Sequence, residues 1–123
     1  MLFRSRLAEQ YLIRAEAEAE SSDPTDAVSD LNIIRARAGL SPSSVTPSSQ
    51  KSDILAAIMH ERQVELFCEW GNRLFDLKRT NTVQSILATE KGGPWLQDNH
   101  AALYPIPAGE LILDHNLTQN PGY

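Results

Sequence analysis

Four carboxylates in one stretch of the chain have the types and spacing that could do chemistry, namely Glu61, Glu65, Glu69 and Asp76. The three glutamates are one helical turn apart, so on a helix they share one side. A pair of carboxyl groups about 5 to 10 Å apart is what glycoside hydrolysis requires. Arginines in the same stretch would keep these groups ionised, however, which leaves no acid for that reaction. We therefore predict no catalytic residue and no enzyme.

The same carboxylates are better explained by an ion-pair network that closes a helical core. Glutamates at one-turn spacing repel each other unless cations lie among them. Gly71 allows the chain to turn back and bring Arg73 and Asp76 towards the glutamates. The predicted members are Arg35, Glu61, Arg62, Glu65, Glu69, Arg73, Asp76 and Arg79. The alternative interpretation is a solvated charged face whose members have no common partner.

The remaining polar side chains do not indicate a metal site or a cofactor. Cys68 is the single cysteine and lies in a helical run, where it is expected to be a small buried residue. No second cysteine is present for a disulfide or a thiolate metal site. The spacing of His60, His100 and His115 fits no metal template. We predict no cofactor and no metal.

Aromatic side chains could stack on the apolar face of a sugar ring. Trp95 follows a Gly-Gly-Pro turn and is the one candidate that we name for ligand binding. Trp70, Tyr104 and Tyr123 are other possible platforms. For Trp70 and Tyr104, packing in the core is the alternative that we favour.

Length and charge restrict the class of protein. A chain of 123 residues with 41% hydrophobic residues fits one domain with a real core, and neither a disordered nor a membrane class is indicated. The formal net charge of -5 argues against non-specific nucleic-acid binding, which needs a basic surface. The start of the chain, Met1 to Arg6, is too short and too charged for a signal peptide.

The first part of the chain, about residues 4–39, is predicted to be a helical hairpin. One helix runs from Arg4 to Ser21 and the next from Pro24 to about Ala38, with Asp23 as N-cap and Gly39 at the carboxyl end. Five positions have the spacing of a tetratricopeptide repeat: Tyr11, Ala15, Ala27, Leu31 and Ile34. Arg14 and Glu18 stand where that repeat prefers apolar residues. A single repeat cannot bury its own face, so the hairpin must pack on another element.

After a Ser/Pro-rich loop at residues 41–51, helices are expected over about 52–89 and an extended tail over 90–123. The helices of this part are predicted from Ser52 or Asp53 to Trp70, from Asn72 to Lys78 and from Thr82 to Thr89. The tail is expected to be ordered only if Leu117, Pro121 and Tyr123 insert between helices. We predict a single all-α domain over residues 1–123, with a tetratricopeptide-like hairpin packed on a long third helix, short helices and an irregular tail.

Five blocks of sequence carry a resemblance to one known family. They are Tyr11–Ala17 together with Leu31–Leu40, then Glu61–Leu66, Glu69–Arg79, Tyr104–Pro107 and Gln119–Tyr123. In this order and spacing they resemble the carboxyl-terminal region of the SusD/RagB family over nearly the whole chain. Two positions depart from the pattern: Leu74 replaces a frequent tryptophan, and Asp114-His115-Asn116 replaces an Asn-Pro pair.

The resemblance implies a function that the residues alone do not. Members of that family are outward-facing outer-membrane lipoproteins of Bacteroidetes that bind glycans, or in some cases peptides. They cap a SusC-like TonB-dependent transporter, they are not enzymes, and their fold is built around tetratricopeptide-like hairpins. The family's signal peptide, lipidated cysteine, amino-terminal portion and most of its glycan site are expected in a longer protein, of which this chain would be the carboxyl-terminal segment.

We therefore expect a non-enzymatic component of glycan binding and uptake. Its expected partners are a SusC-like transporter, the amino-terminal portion of the same protein and, for the full-length lipoprotein at the cell outer membrane, an oligosaccharide. The alternative is a structural or protein-interaction module with no ligand site of its own. Uncovered apolar helix faces would also make a homo-oligomer plausible, whereas no nucleic-acid partner is expected.

Overall fold

The computed structural model describes residues 6–93 and 102–123, and within them all regular secondary structure is helical. The helices are α1 (Leu7–Glu20), α2 (Pro24–Arg37), α3 (Lys51–Glu65), α4 (Asn72–Arg79), α5 (Val83–Lys91) and α6 (Ala108–Leu113). The prediction of an all-α fold is confirmed. The chain divides into two compact units, one ending at Arg73 and the other beginning at Leu74. No helix of the described residues is both long and apolar enough to cross a lipid bilayer.

The hairpin of α1 and α2 is delimited by local signals in the sequence. The Asp23 carboxylate accepts a hydrogen bond from the Asp26 backbone N–H at 3.3 Å, and Pro24 follows as the first residue of α2. At the other end, Gly39 has a φ of +74° and comes directly after the cap residue Ala38. The Leu40 N–H reaches back to the Arg35 carbonyl at 2.9 Å, which completes a Schellman ending.

The first helix begins at Leu7, later than predicted, with Arg6 as its N-cap residue. Arg4, the predicted start, lies outside the described residues. At its carboxyl end, Ser22 takes a φ of +69° and the Asp23 N–H bonds to the Glu18 carbonyl at 2.8 Å. The tight link to α2 is therefore a second Schellman ending, with serine where glycine is more usual.

The third helix ends at Glu65, and the prediction that it reaches Trp70 is wrong. Beyond the cap residue Leu66, Cys68 and Trp70 have φ angles of +58° and +48°, which no right-handed helix contains. The Arg6 guanidinium donates to the Glu65 carbonyl at 3.2 Å, so one of the last carbonyls of the helix has a partner from another part of the chain. Local periodicity in the sequence carries no sign of this contact between distant residues.

The core of the first unit lies where the hairpin packs against α3. Small residues at Ala8, Ala15, Ala19 and Ala27 let the helices approach closely. Larger side chains fill the space between them, including Leu12, Leu31, Ile34, Ile54 and Ile58, each at most 2% exposed. Four of the five tetratricopeptide positions are buried in this core, and Tyr11 packs against it while partly exposed.

The second unit has a smaller core and a tail held by polar contacts. Its buried cluster is Leu77, Val83, Leu87 and Ala102. The Gln119 side chain accepts a hydrogen bond from the Ile106 N–H at 2.8 Å and donates one to the Ile106 carbonyl at 2.9 Å. This side-chain amide therefore makes the two backbone hydrogen bonds that a neighbouring β-strand would make. The Tyr123 hydroxyl donates to the Leu103 carbonyl at 2.9 Å. Leu117, Pro121 and Tyr123 are exposed, so the expectation that the tail is ordered only if these side chains insert between helices is wrong.

Replacing a core leucine of α1 should unfold the chain more easily than replacing an exposed one. We expect Leu12→Ala, at a position that is fully buried, to lower the free energy of unfolding by about 2–5 kcal/mol through lost burial and a cavity. Leu7→Ala is the matched control on the same helix, because Leu7 is 73% exposed, and should stay within about 0.5 kcal/mol. Urea unfolding followed by circular dichroism measures both values. Equal losses would contradict this assignment of the core.

Candidate functional site

Buried carboxylates of the first unit each bond to an arginine from another helix. Glu61 on α3 is 4% exposed, and its Oε2 lies 2.9 Å from Nη1 of Arg35 on α2. The Nε of Arg35 also donates to the Ser41 carbonyl at 3.0 Å. One guanidinium therefore joins α2, α3 and the start of the loop between them.

Glu65 and Glu69 belong to a second group of ion pairs, at the carboxyl end of α3. Glu65 Oε1 lies 2.5 Å from Arg37 Nη2 and 2.6 Å from Arg6 Nη2. The other terminal nitrogen of Arg6 contacts the Glu69 carboxylate. Charges of alternating sign thus run from Glu69 through Arg6 and Glu65 to Arg37. Arg6 was not among the predicted members of the network.

The other predicted members have different surroundings. Asp76 and Arg79 belong to the second unit and pair with each other, with Arg79 Nε donating to Asp76 Oδ1 at 2.9 Å. Arg62 lies buried in α3, and Arg73 lies in the first turn of α4. Within the first unit, Glu61 bonds to Arg35, whereas Glu65 bonds to Arg37 and Arg6.

A further ion pair, which sequence reasoning missed, joins the two helices of the hairpin. Asp30 is 3% exposed and receives two hydrogen bonds from Arg14, from Nε and Nη2, each at 2.6 Å. These bonds and the charge of Asp30 raise the pKa of Arg14. The Arg14 guanidinium also lies over the Tyr11 ring, 5.2 Å from its centre. One feature of the sequence could have indicated this pair: Arg14 is charged at a position where the tetratricopeptide repeat prefers an apolar residue.

Glu18 lies beside Arg14 and Asp30, in an environment that disfavours its ionised carboxylate. Its Oε1 is 3.5 Å from Arg14 Nε, but its Oε2 is buried and has no hydrogen-bond partner among the described residues. Burial is the main cause that raises the pKa of the Glu18 carboxyl, and the negative charge of Asp30 adds to it. Arg14 acts in the opposite direction, because its charge favours the ionised carboxylate.

A groove of about 400 Å³ runs along the outer side of α1. Its described lining consists of Leu7, Gln10, Tyr11, Ile13 and Arg14. Tyr11 also packs against the core, whereas Leu7, Ile13 and Arg14 are exposed. Leu7 and Ile13 are exposed, so α1 presents apolar side chains outward as well as inward.

The aromatic candidates are not buried. Trp70 and Tyr104 are 76% and 74% exposed, so the favoured interpretation of core packing is wrong for both. Cys68 was expected to be buried but is exposed, because α3 ends before it and the following turns carry it outward. Trp95 and His100 lie outside the described residues. Among the residues that the structure does describe, no cluster of His, Cys, Asp or Glu could hold a metal ion.

Comparison with known proteins decides the family. The sequence model described as "SusD family" matches residues 2–123. The chain belongs to the SusD family. The resemblance drawn from the five sequence blocks is therefore confirmed.

Individual members of the SusD family match nearly the whole chain. SusD-like protein P2 of Formosa agariphila is 35% identical, and the match covers 96% of this chain and 25% of that protein. The starch-binding protein SusD of Bacteroides thetaiotaomicron is 34% identical over 96% of this chain and 21% of its own length. The chain thus spans about a quarter of the length of these relatives.

A solved structure shows the same fold. The crystal structure of a SusD superfamily protein from Bacteroides vulgatus superposes with a TM-score of 0.79 at 27% sequence identity. The superposition covers 97% of this chain and 27% of that protein. The chain therefore shares its helical fold with that SusD superfamily protein.

Removing the buried carboxylate of Glu61 should destabilise the first unit, because it leaves the Arg35 guanidinium partly buried and without its charge partner. We expect Glu61→Ala to lower the free energy of unfolding by about 2–4 kcal/mol. Gln63→Ala, at an exposed position of the same helix, is the control and should change it by less than about 0.5 kcal/mol. Chemical unfolding measures both. A loss of only a few tenths for Glu61→Ala would show that the pair contributes nothing to the fold.

Glu18 gives a prediction for pH dependence. A carboxyl whose pKa is higher in the folded state than in the unfolded state binds its proton more tightly when folded. Its contribution to stability is therefore fully present below the unfolded pKa and is lost as the pH rises through the folded pKa. We expect Glu18→Gln to raise the melting temperature at neutral pH and to bring it closer to the wild-type value in acid. An unchanged melting temperature at neutral pH would contradict a buried, unpaired oxygen at Glu18.

Proposed function

We propose that this chain is the carboxyl-terminal, supporting segment of a non-enzymatic glycan-binding protein. The full-length protein would be an outward-facing lipoprotein of the outer membrane that works with a SusC-like TonB-dependent transporter in nutrient uptake. The observation that carries the proposal is the family match over residues 2–123, together with a relative that is itself named a starch-binding protein.

The chemistry of the carboxylates supports a role without catalysis. Glu61, Glu65 and Asp76 each accept a hydrogen bond from an arginine at 2.9 Å or less. A general acid must hold a proton and release it to a substrate, whereas these carboxylates accept hydrogen bonds from guanidinium groups. Glu61 and Glu65 are suited to holding α3 against α2.

The length of the chain, compared with that of its relatives, also supports such a role. The chain corresponds to about a quarter of its relatives, so most glycan contacts would come from the other three quarters. Trp95 remains our one candidate for a ligand contact from this segment.

The second candidate function is an interaction module with no ligand site of its own. The specific observation in its favour is the groove on the outer side of α1, where Leu7 and Ile13 are exposed. A single helical hairpin does not bury its outer face alone, so another helix of a longer polypeptide would fit there.

A chimera tests the proposal. The matching segment of the starch-binding protein SusD is exchanged for this chain, and binding to starch oligosaccharides is measured by calorimetry. If the segment is a support, we expect the dissociation constant to stay within about threefold of the parent value. A chimera that melts cooperatively but no longer binds starch would contradict the proposal.

The same chimera tests whether this segment contacts the glycan. Trp95→Ala should weaken binding if it does, whereas Trp70→Ala is the control at the other tryptophan. Equal binding by both variants and by the unsubstituted chimera would show that Trp95 makes no glycan contact that affects the affinity.

A further inference from the structure

Local sequence and observed conformation disagree over residues 66–70, the stretch that follows α3. These residues include no glycine and no proline, and Glu69 continues the one-turn spacing of the glutamates in α3. The structure nevertheless ends α3 at Glu65 and gives Cys68 and Trp70 φ angles of +58° and +48°. Left-handed angles are disfavoured for residues other than glycine, so they persist only where the surroundings impose them.

The hydrogen bonds at the end of α3 show which contact imposes these angles. In a continuing α-helix, the Glu65 carbonyl would accept a hydrogen bond from the Glu69 N–H. In the structure, that carbonyl accepts a hydrogen bond from Nη1 of Arg6 at 3.2 Å. The Glu69 N–H bonds to the Leu66 carbonyl instead, at 3.1 Å. Arg6 therefore competes with the next turn of α3 for the acceptor on which that turn depends.

The same guanidinium also holds the glutamate side chains on both sides of the turn. Nη2 of Arg6 lies 2.6 Å from Glu65 Oε1, and Nη1 contacts the Glu69 carboxylate. One side chain thus engages the backbone at the end of α3 together with the carboxylates before and after the first left-handed residue, Cys68.

Arg6 can be withdrawn without loss of the apolar core. It is the N-cap residue of α1, has extended backbone angles and is not a member of the buried cluster that joins α1, α2 and α3. Its side chain is 40% exposed. The position of its guanidinium therefore depends on the direction from which the chain enters α1.

We propose that Arg6 is a latch on α3: the helix stops at Glu65 while the guanidinium is in place and continues through Trp70 when it is withdrawn. In the extended helix, Trp70 follows Leu66 by one turn and lies on the same side of α3. Leu66 is 3% exposed, whereas Trp70 in the latched form is 76% exposed. The latch thus determines whether an aromatic side chain is presented to solvent.

Nuclear magnetic resonance of the full chain tests the latch, because scalar couplings that report φ distinguish a left-handed from a helical backbone. Arg6→Ala should shift the couplings of Cys68 from left-handed to helical values. Arg37→Ala is the matched control, because Arg37 also bonds to the Glu65 carboxylate, at 2.5 Å. Among the contacts of the described residues, Arg37 makes none to the Glu65 carbonyl or to Glu69, so its removal should leave the couplings unchanged.

Two further variants separate a latch from a general loss of stability. Cys68→Gly added to Arg6→Ala should return the couplings of Trp70 to left-handed values, since glycine takes positive φ without steric cost and disfavours a helix. If Arg6→Ala does not melt cooperatively, Glu69→Ala carries the test. It removes the outer contact of the latch, at a side chain that is 33% exposed, and should shift the couplings of Cys68 in the same direction.

Three results would overturn the proposal. The first is a left-handed Cys68 that persists after Arg6→Ala or, where Glu69→Ala carries the test, after that substitution. The second is a set of couplings in the released variant that averages to the values of an unfolded chain, because the stretch would then fray and not join α3. The third is the same shift in Arg37→Ala, because any lost charge at Glu65 would then suffice.

Discussion

The first unit depends on the requirement that a carboxylate taken out of water must meet a cation. Asp30 and Glu61 are 3% and 4% exposed, and each would be strongly destabilising without its arginine. Arg14 links α1 to Asp30 on α2, and Arg35 links α2 to Glu61 on α3. The two pairs therefore join three helices in one relative arrangement. The apolar core supplies the general stabilisation, whereas these pairs specify how the helices are matched to each other.

The same pairing limits what the buried carboxylates can do. They are engaged by guanidinium groups between helices, and no cluster of His, Cys, Asp or Glu among the described residues could hold a metal ion. Several apolar and aromatic side chains are exposed beside the charged ones: Leu7 and Ile13 on α1, Phe67 and Trp70 after α3 and, in the second unit, Tyr104. Our proposal of a supporting segment requires such exposed side chains for contacts with other polypeptide surfaces.

Much of this fold could be predicted from the sequence because its signals are local. Asp23-Pro24 begins α2, Gly39 ends it, and the tetratricopeptide spacing places Ala15, Ala27 and Leu31 in the core. The end of α3 could not be predicted in this way, because it involves Arg6, which is 59 residues away from Glu65. The tail was misjudged for a related reason, since the amide of Gln119 makes backbone-like bonds that no apolar pattern reveals. The Arg14–Asp30 pair was not predicted, because the sequence shows only that Arg14 is unusual at its position in the repeat and does not identify Asp30 as its partner.

A double-mutant cycle on Arg35 and Glu61 tests the central claim most directly. The free energy of unfolding is measured for the wild type, Arg35→Ala, Glu61→Ala and the double variant, so that the pairwise term is separated from the cost of each truncation. If the pair holds α2 against α3, the coupling energy should be about 1–3 kcal/mol, and the double variant should be little worse than either single one. A coupling energy within about 0.3 kcal/mol of zero would contradict the claim, because the two charges would then be neighbours only and the apolar core alone would set how α2 meets α3.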